Sequence, residues 1–307
     1  MKHTDKILNR NMDAMKEQEL QLSGVNPSIQ HRAIRKMLNN NLALLGIILF
    51  LVIFLLCFLG PFFARYSPIK INLSQGYCSP SFKHIFGTDR LGRDVFSRVL
   101  SGGRISISIG LGSAIGASII GVILGCYGGY VGGVFDYIFL RFSELFLFFP
   151  QTILVLLLVM VTGQSVGNLM FIFIITGWCS TYRMIRAQVL SIREQDFVQA
   201  LKVQGIGTFR ICYKHILPNT MAPVFVNITL NTATFILQEA ALSYLGLGVP
   251  LEIPTWGSIL NVANNFEVLL NNWWIWLPVG CFISLFVLAV NFIGDGLRDS
   301  TNSSQQG

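Results

Sequence analysis

Charge is scarce in this chain of 307 residues: Asp, Glu, Lys and Arg together make up 12% of it, against 52% hydrophobic residues. A soluble domain carries roughly 25% charged residues, so half of the usual solvent-facing material is missing. The charges that remain are clustered. None falls between Lys36 and Arg65, Arg104 and Asp136, Glu144 and Arg183, or Glu267 and Asp295. About 20 consecutive apolar residues cross a bilayer core, and each of these gaps is at least that long. A soluble globular fold is excluded. An all-α integral membrane protein is implied, and the mean hydropathy of +0.59 agrees.

Catalytic and metal-binding patterns are lacking as well. The six cysteines, Cys57, Cys78, Cys126, Cys179, Cys212 and Cys281, are scattered with no CxxC pair. Most sit in apolar runs, where a free cysteine behaves as a small hydrophobe. His3, His31, His84 and His215 are isolated, and no HExxH, Ser/His/Asp or Cys/His arrangement appears. No GxxxxGK(S/T) phosphate loop occurs, so any nucleotide must be bound by another chain. No metal, no catalytic residue and no cofactor is expected here. Nor is a secretory leader: the first apolar run begins near Asn41, after a polar tail, and has the length of a true span.

What is present is a series of apolar segments, near 41–64, 104–127, 138–161, 169–184, 219–245 and 273–294. They predict six transmembrane helices. Residues 1–40 form a polar tail with a basic patch at Arg32, Arg35 and Lys36. Residues 41–103 hold the first span and a mixed loop, 104–298 the core with a polar segment at 185–218, and 299–307 a second tail. With the N-terminus inside, 15 Lys and Arg lie inside and seven outside; the reverse topology inverts the ratio. The positive-inside rule therefore places both termini in the cytosol. The first outer loop, with six Lys and Arg over 65–103, runs against the trend. The net charge of +7 thus speaks to topology and to a membrane-lipid setting, and no nucleic-acid partner is implied. Trp273, Trp274 and Trp276 cluster where the sixth span meets the outer interface. Gly112, Gly116, Gly121 and Gly125 on the second span form two small-xxx-small pairs that let helix backbones approach closely.

The polar segment contains DFVQALKVQGIGTFRICYKHILPN, residues 196–219. Arg183, Arg186, Arg193, Glu194, Asp196, Lys202, Arg210 and Lys214 in and before it could not be submerged, at roughly 3 kcal/mol each near the bilayer centre. Phe197, Ala200 and Leu201 recur as one face of a short helix. Gly205-Ile206-Gly207 interrupts it. Thr208 can cap a second helix whose face is Phe209, Cys212, Tyr213 and Ile216, and Pro218 disfavours helical geometry at Leu217 and ends that piece. The apolar face of this helix–turn–helix must bury against the membrane interface, its own bundle or a partner protein.

Elsewhere, Asp89/Arg93 and Asp94/Arg98 are i, i+4 pairs on an expected interfacial helix outside the membrane. Intramolecular pairing is the first reading, contact with an outer partner or gate the second. Glu239 lies some way into the fifth span, near the outer surface by helical rise, with a functional and a structural role both open. Arg141 and Glu144, three apart, read as a mutual pair. A carrier driven by an ion gradient would want an ionisable residue at mid-membrane, and spans one, two, four and six offer none. A structural or signalling subunit would be separated by unimpaired solute uptake on deletion.

Resemblance decides among these. The segment resembles the cytosolic coupling loop of ATP-binding-cassette importer permeases: Glu-Ala-Ala, three residues, Gly, nine residues, Ile-x-Leu-Pro. Here it reads Gln199-Ala200-Leu201, Gly205, then His215-Ile216-Leu217-Pro218 at the same spacing, with Gln199, Leu201 and His215 as departures. The stretches HIFGTDRLGRDVFSRVLSGGRISISIG (84–110), GCYGGYVGGVFD (125–136), QEAALSYLGLGVPLEIPTWGSIL (238–260) and NFIGDGLRD (291–299) resemble the C-type permease of dipeptide, oligopeptide and nickel importers. The likeness covers about residues 32–300. It implies the type I importer permease fold in a prokaryotic cell membrane. It also implies a pore shared with a B-type permease, two cytosolic ATPases that hold ATP and magnesium, and an extracytoplasmic substrate-binding protein. Peptides are the implied cargo, with nickel complexes or glutathione as alternatives. Contact with the ATPases then falls to Gln199, Ala200, Leu201, Gly205, Gly207, Phe209, His215, Leu217 and Pro218. Asp89, Arg93, Asp94, Arg98 and Glu239 become candidates for the outer loop or gate.

Overall fold

The computed structural model describes residues 40–302, so the expected tail 1–40 and its basic patch fall almost wholly outside the described residues. Among the described residues the chain is mostly helical. No strand forms among the described residues, and one isolated bridge joins Thr88 to Asp94.

Helix α1, Asn41–Phe63, starts where the Asn40 side chain accepts hydrogen bonds from the amides of Leu42 and Ala43. From 42 to 59 its exposed residues are Leu, Ile and Val only, as a lipid-facing surface requires. A folded lobe, 64–94, follows. Helix α2, Val95–Val131, runs for 37 residues, about 55 Å at helical rise, and so projects well beyond a bilayer core of roughly 30 Å. Its first turn is capped by Asp94, whose carboxylate accepts from the amide of Ser97 at 2.8 Å. Helices α3, Gly133–Phe148, and α4, Gln151–Thr162, come next, then α5, Val166–Ile192, and α6, Asp196–Val203.

A single turn, Thr208–Arg210, continues through a π-helical stretch, Ile211–Ile216, into α7, Leu217–Tyr244. Short helices α8, Trp256–Leu260, and α9, Phe266–Asn271, precede the last helix, α10, Trp273–Asn302.

Four of these stretches are long and apolar enough to cross a membrane alone: Asn41–Phe63, Val95–Val131, Thr208–Tyr244 and Trp273–Ser300. The expected third span, 138–161, is corrected. It is two helices, α3 and α4, meeting at 94°. Pro150 disfavours helical geometry at the residue before it, and Phe149 is accordingly extended, at φ −84° and ψ 139°. The expected fourth span, 169–184, lies within α5, which is long enough but carries Asn168, Thr176, Ser180, Thr181 and Arg183. Its apolar side is buried in the bundle rather than offered to lipid.

The glycine stripe is what lets α5 come so close. A Cβ at Gly116 would lie 2.8 Å from Ile174, and one at Gly125 2.7 Å from the Tyr182 carbonyl. Toward the lobe, Trp256 is fully buried and donates its indole N–H to the Val99 carbonyl at 3.1 Å. Gly102 and Gly103 leave room for α8 to lie directly on α2. Phe173 of α5 and Phe235 of α7 stack at 4.9 Å, which ties the third side of the core.

Candidate functional site

The 193–218 segment is held at one end of the bundle by a few specific contacts. Arg193, at the end of α5, donates to the Gly129 carbonyl at 3.2 Å. Gln199 returns a hydrogen bond to the Arg193 carbonyl at 2.9 Å. Helix α6 then presses Val198 and Leu201 into a cluster with Ile185, Val189, Ile211 and Ile216. Gly205 adopts φ +75°, and the Ile206 amide reaches back to the Leu201 carbonyl at 3.2 Å. That is a left-handed glycine stop of the Schellman kind.

The outward side of the segment is mixed: large apolar side chains stand among exposed Lys202, Gln204 and Arg210, and no described residue covers them. Val203 is 89% exposed and Phe209 71%, and Gln199 and Ala200 are exposed beside them. A Cβ on Gly205 or Gly207 would meet nothing within 4 Å.

Four local expectations need correction. The buried face of the first helix is Val198 and Leu201, with Phe197 half-buried and Ala200 outside. The buried face of the second is Ile211, Cys212 and Ile216, with Phe209 outside. Thr208 caps nothing: Gly207 is the N-cap, with no side-chain bond. Finally, Pro218 ends no helix. The preceding six residues widen into π geometry, with the Leu217 amide bonded to the Cys212 carbonyl. The proline, which has no amide hydrogen to offer, then sits in the first turn of α7, where none is needed. Leu217 and Pro218 are half-buried in this continuous rod, and both ring nitrogens of His215 are buried without a hydrogen-bond partner.

A neighbouring cluster was invisible in the sequence. Asp136 at the start of α3 takes both Nε and Nη2 of Arg186 on α5. The Tyr182 hydroxyl adds a bond to the same carboxylate at 3.0 Å. Charge-assisted, forked pairs of this kind are the strong ones, and this one fastens α3 to α5 about two turns before the 193–218 segment begins. By contrast, Arg141 and Glu144 pair on the surface at 2.7 Å, a contact worth little.

At the other end, the lobe carries the remaining candidates. Asp89, Arg93 and Asp94 do not lie on a helix. Gly87 and Gly92, at φ +64° and +69°, fold the chain into a tight turn instead. Asp89 accepts from the amides of Leu91 and Arg93 and from Arg93 Nε at 2.7 Å. The expected Asp94/Arg98 pair is replaced. Asp94 holds His84 at 2.9 Å and caps α2, while Arg98 lies 3.8 Å from Asp89 and donates to the Pro68 carbonyl. Asp89, Asp94 and Arg98 are almost fully buried, so they anchor the lobe on α2 rather than face outward. Glu239 is wholly buried, and its two oxygens accept from Ser106 of α2 and Ser243 of α7, each at 2.8 Å. Ser106 also receives the Trp256 amide, so Glu239 binds α2, α7 and α8 together.

Long apolar helices packed over buried glycines, with an amphipathic loop exposed at one end of the bundle, define a multi-pass membrane protein. Residues 98–302 match the family of binding-protein-dependent transport system inner membrane components. Residues 28–80 match the N-terminal TM domain of oligopeptide transport permease C. The dipeptide transport system permease protein of Bacillus subtilis strain 168 is 37% identical over 292 residues, 95% of this chain and 89% of that one. The oligopeptide permease protein of the same strain is 38% identical over 274 residues, 89% of each chain. A dipeptide permease protein of Alkalihalophilus pseudofirmus is 37% identical over 282 residues, 92% of this chain and 91% of its own. The chain belongs to this family of inner membrane transport permeases, and its fold is the type I importer permease fold.

Proposed function

We propose that this chain is one half of the pore of an ATP-driven importer of dipeptides and oligopeptides. The other half is a B-type permease. Two cytosolic ATPases grip the 193–218 segment, and an extracytoplasmic binding protein delivers cargo to the lobe end. The observation that carries this reading is the set of outward apolar residues Ala200, Val203 and Phe209, for which the described residues supply no cover. Large exposed side chains on a rigid turn are what a partner buries. The inward side of the same helix, Val198 and Leu201, shares a cluster with Ile185 and Val189 of α5 and with Ile211 and Ile216 of the π-helical stretch that leads into α7. A displacement of α6 is therefore passed to two pore helices at once, because packed contacts move as a body.

In this arrangement the chain itself carries no catalytic group, and ATP with its magnesium belongs to the ATPases. The apolar segments cross the prokaryotic cell membrane six times, with α3 and α4 counted as one broken crossing and α5 as the next. Both termini lie in the cytosol. An impermeant thiol reagent should label Cys78, exposed in the lobe, on intact cells. The buried Cys212 cannot report on the other side, but a Val203→Cys variant can, and it should react only after permeabilisation. Labelling of Val203→Cys from outside would invert the topology.

The function itself is tested by reconstitution. The chain alone in vesicles should move no peptide under a proton or sodium gradient. With its permease partner, both ATPases, the loaded binding protein and ATP, uptake should begin. It should survive an ionophore and stop with a non-hydrolysable ATP analogue. Gradient-driven uptake by the chain alone would defeat the proposal.

A further inference from the structure

Helix α7 is the least apolar of the four long spans, and its polar residues are not scattered. Asn227, Asn231, Thr234 and Gln238 follow one another at steps of four, three and four, which keeps them on one face of a helix. Thr234 is exposed and the three amides are half-buried. The opposite side of the helix, including Phe235, Ile236, Glu239 and Ala240, is packed into the bundle.

Along the stripe, Asn227 Oδ1 accepts from Thr181 of α5 at 2.7 Å and from Asn231 Nδ2 at 2.8 Å. These bonds fix the two amides in place and leave Asn227 Nδ2 and Asn231 Oδ1 without a partner among the described residues. Gln238 Oε1 has none either, although that atom is itself buried in the bundle. Leu230, Leu237 and Ala241 are exposed between and beside them. The lipid-facing surface of α1 has no such pattern. Amides turned toward hydrocarbon would cost several kcal/mol each, so this face is turned toward something polar.

We propose that this face of α7 lines the transport path and hydrogen-bonds the main chain of the peptide passing through it. The inference rests on the peptide reading above and adds the surface that handles the cargo. Every peptide unit offers one donor and one acceptor whatever its side chain, and a side-chain amide offers both in return. From Asn227 to Gln238 the helix rises about 16 Å, the length of an extended peptide of four or five residues at roughly 3.5 Å each. Leu230 and Leu237 give the cargo's side chains an apolar surface without a shaped pocket. Such a face accepts peptides of many sequences and discriminates against solutes that lack amides.

The test uses the assembled transporter in vesicles, in a background with Cys78 and Cys281 replaced by serine. Asn231→Cys, Thr234→Cys and Gln238→Cys should react with a water-soluble thiol reagent at least 10-fold faster than Leu51→Cys on the lipid face of α1. A tripeptide delivered by the binding protein should slow that reaction. Asn231→Leu should lower tripeptide uptake about 10-fold, and Asn231→Gln should restore most of it. Labelling no faster than at Leu51→Cys would overturn the proposal. So would positions that react in the isolated chain but not in the assembly, since the stripe would then be packed on the second permease. Fast labelling that peptide does not slow would refute main-chain contact. If the wild-type assembly takes up no peptide, the cargo reading fails, while the labelling pattern still decides whether α7 lines a path.

Discussion

Uptake by the assembled transporter is expected to fall to background when aspartate replaces Ala200 or Phe209, although the chain should insert and fold normally. Both positions are exposed in the chain, so a carboxylate there disturbs no internal packing. Against an ATPase it would be buried without a countercharge, at a cost of several kcal/mol. A loss of about 3 kcal/mol weakens docking on the order of 100-fold. Two glycines separate the conformational part of this from the contact part. Gly205 sits at φ +75°, where a β-branched residue is strained by about 1–2 kcal/mol, so Gly205→Val should reshape the turn and impair coupling. Gly207 has φ −63° and open space around it. Gly207→Ala should therefore leave the isolated chain unchanged, and any loss of ATPase association would report a partner close to that backbone. Co-purification of the ATPases with each variant, followed by ATP-dependent uptake, checks all four. Full association and uptake in the two aspartate variants would mean that the 193–218 segment is not the docking surface.

Much of this was legible in the sequence, and the misses have physical causes. The long spans were plain because apolar runs without charge have few other uses. The bend between α3 and α4 was written in Phe149-Pro150 but lost inside an otherwise continuous run of apolar residues. The faces of α6 were misjudged because Phe197, Val198, Ala200, Leu201 and Val203 leave apolar residues on most of its circumference. Periodicity cannot say which of two stripes faces inward. Pro218 was expected to end a helix by a rule that holds for α geometry, and a π turn evades it. The Asp136–Arg186 pair spans 50 residues and joins two different helices, so no local pattern could announce it. The lobe is a different kind of miss: Gly87 and Gly92 signalled turns, but the i, i+4 charge spacing was read as a helix.

Gly121→Val should be the most damaging of the conservative changes in the membrane region. A Cβ at Gly121 would lie 2.6 Å from the Thr181 side chain, 2.8 Å from the Trp178 carbonyl and 2.9 Å from the Tyr182 amide. Two of those three are backbone atoms of α5, so no rotamer change can relieve the clash. The helices must part instead. Overpacking a well-filled core costs about 1–3 kcal/mol, and here the strain falls on two connected sites. Tyr182 and Arg186 would be drawn from Asp136, and Thr181 from Asn227. The expected result is a marked loss of folded protein in detergent, with the remainder melting at a lower temperature. Gly280→Ala on α10, where an added Cβ meets nothing within 4 Å, should behave as the wild type. If Gly121→Val instead purified in normal yield, melted normally and supported normal uptake, α2 and α5 would not be in contact along the glycine stripe in the working transporter.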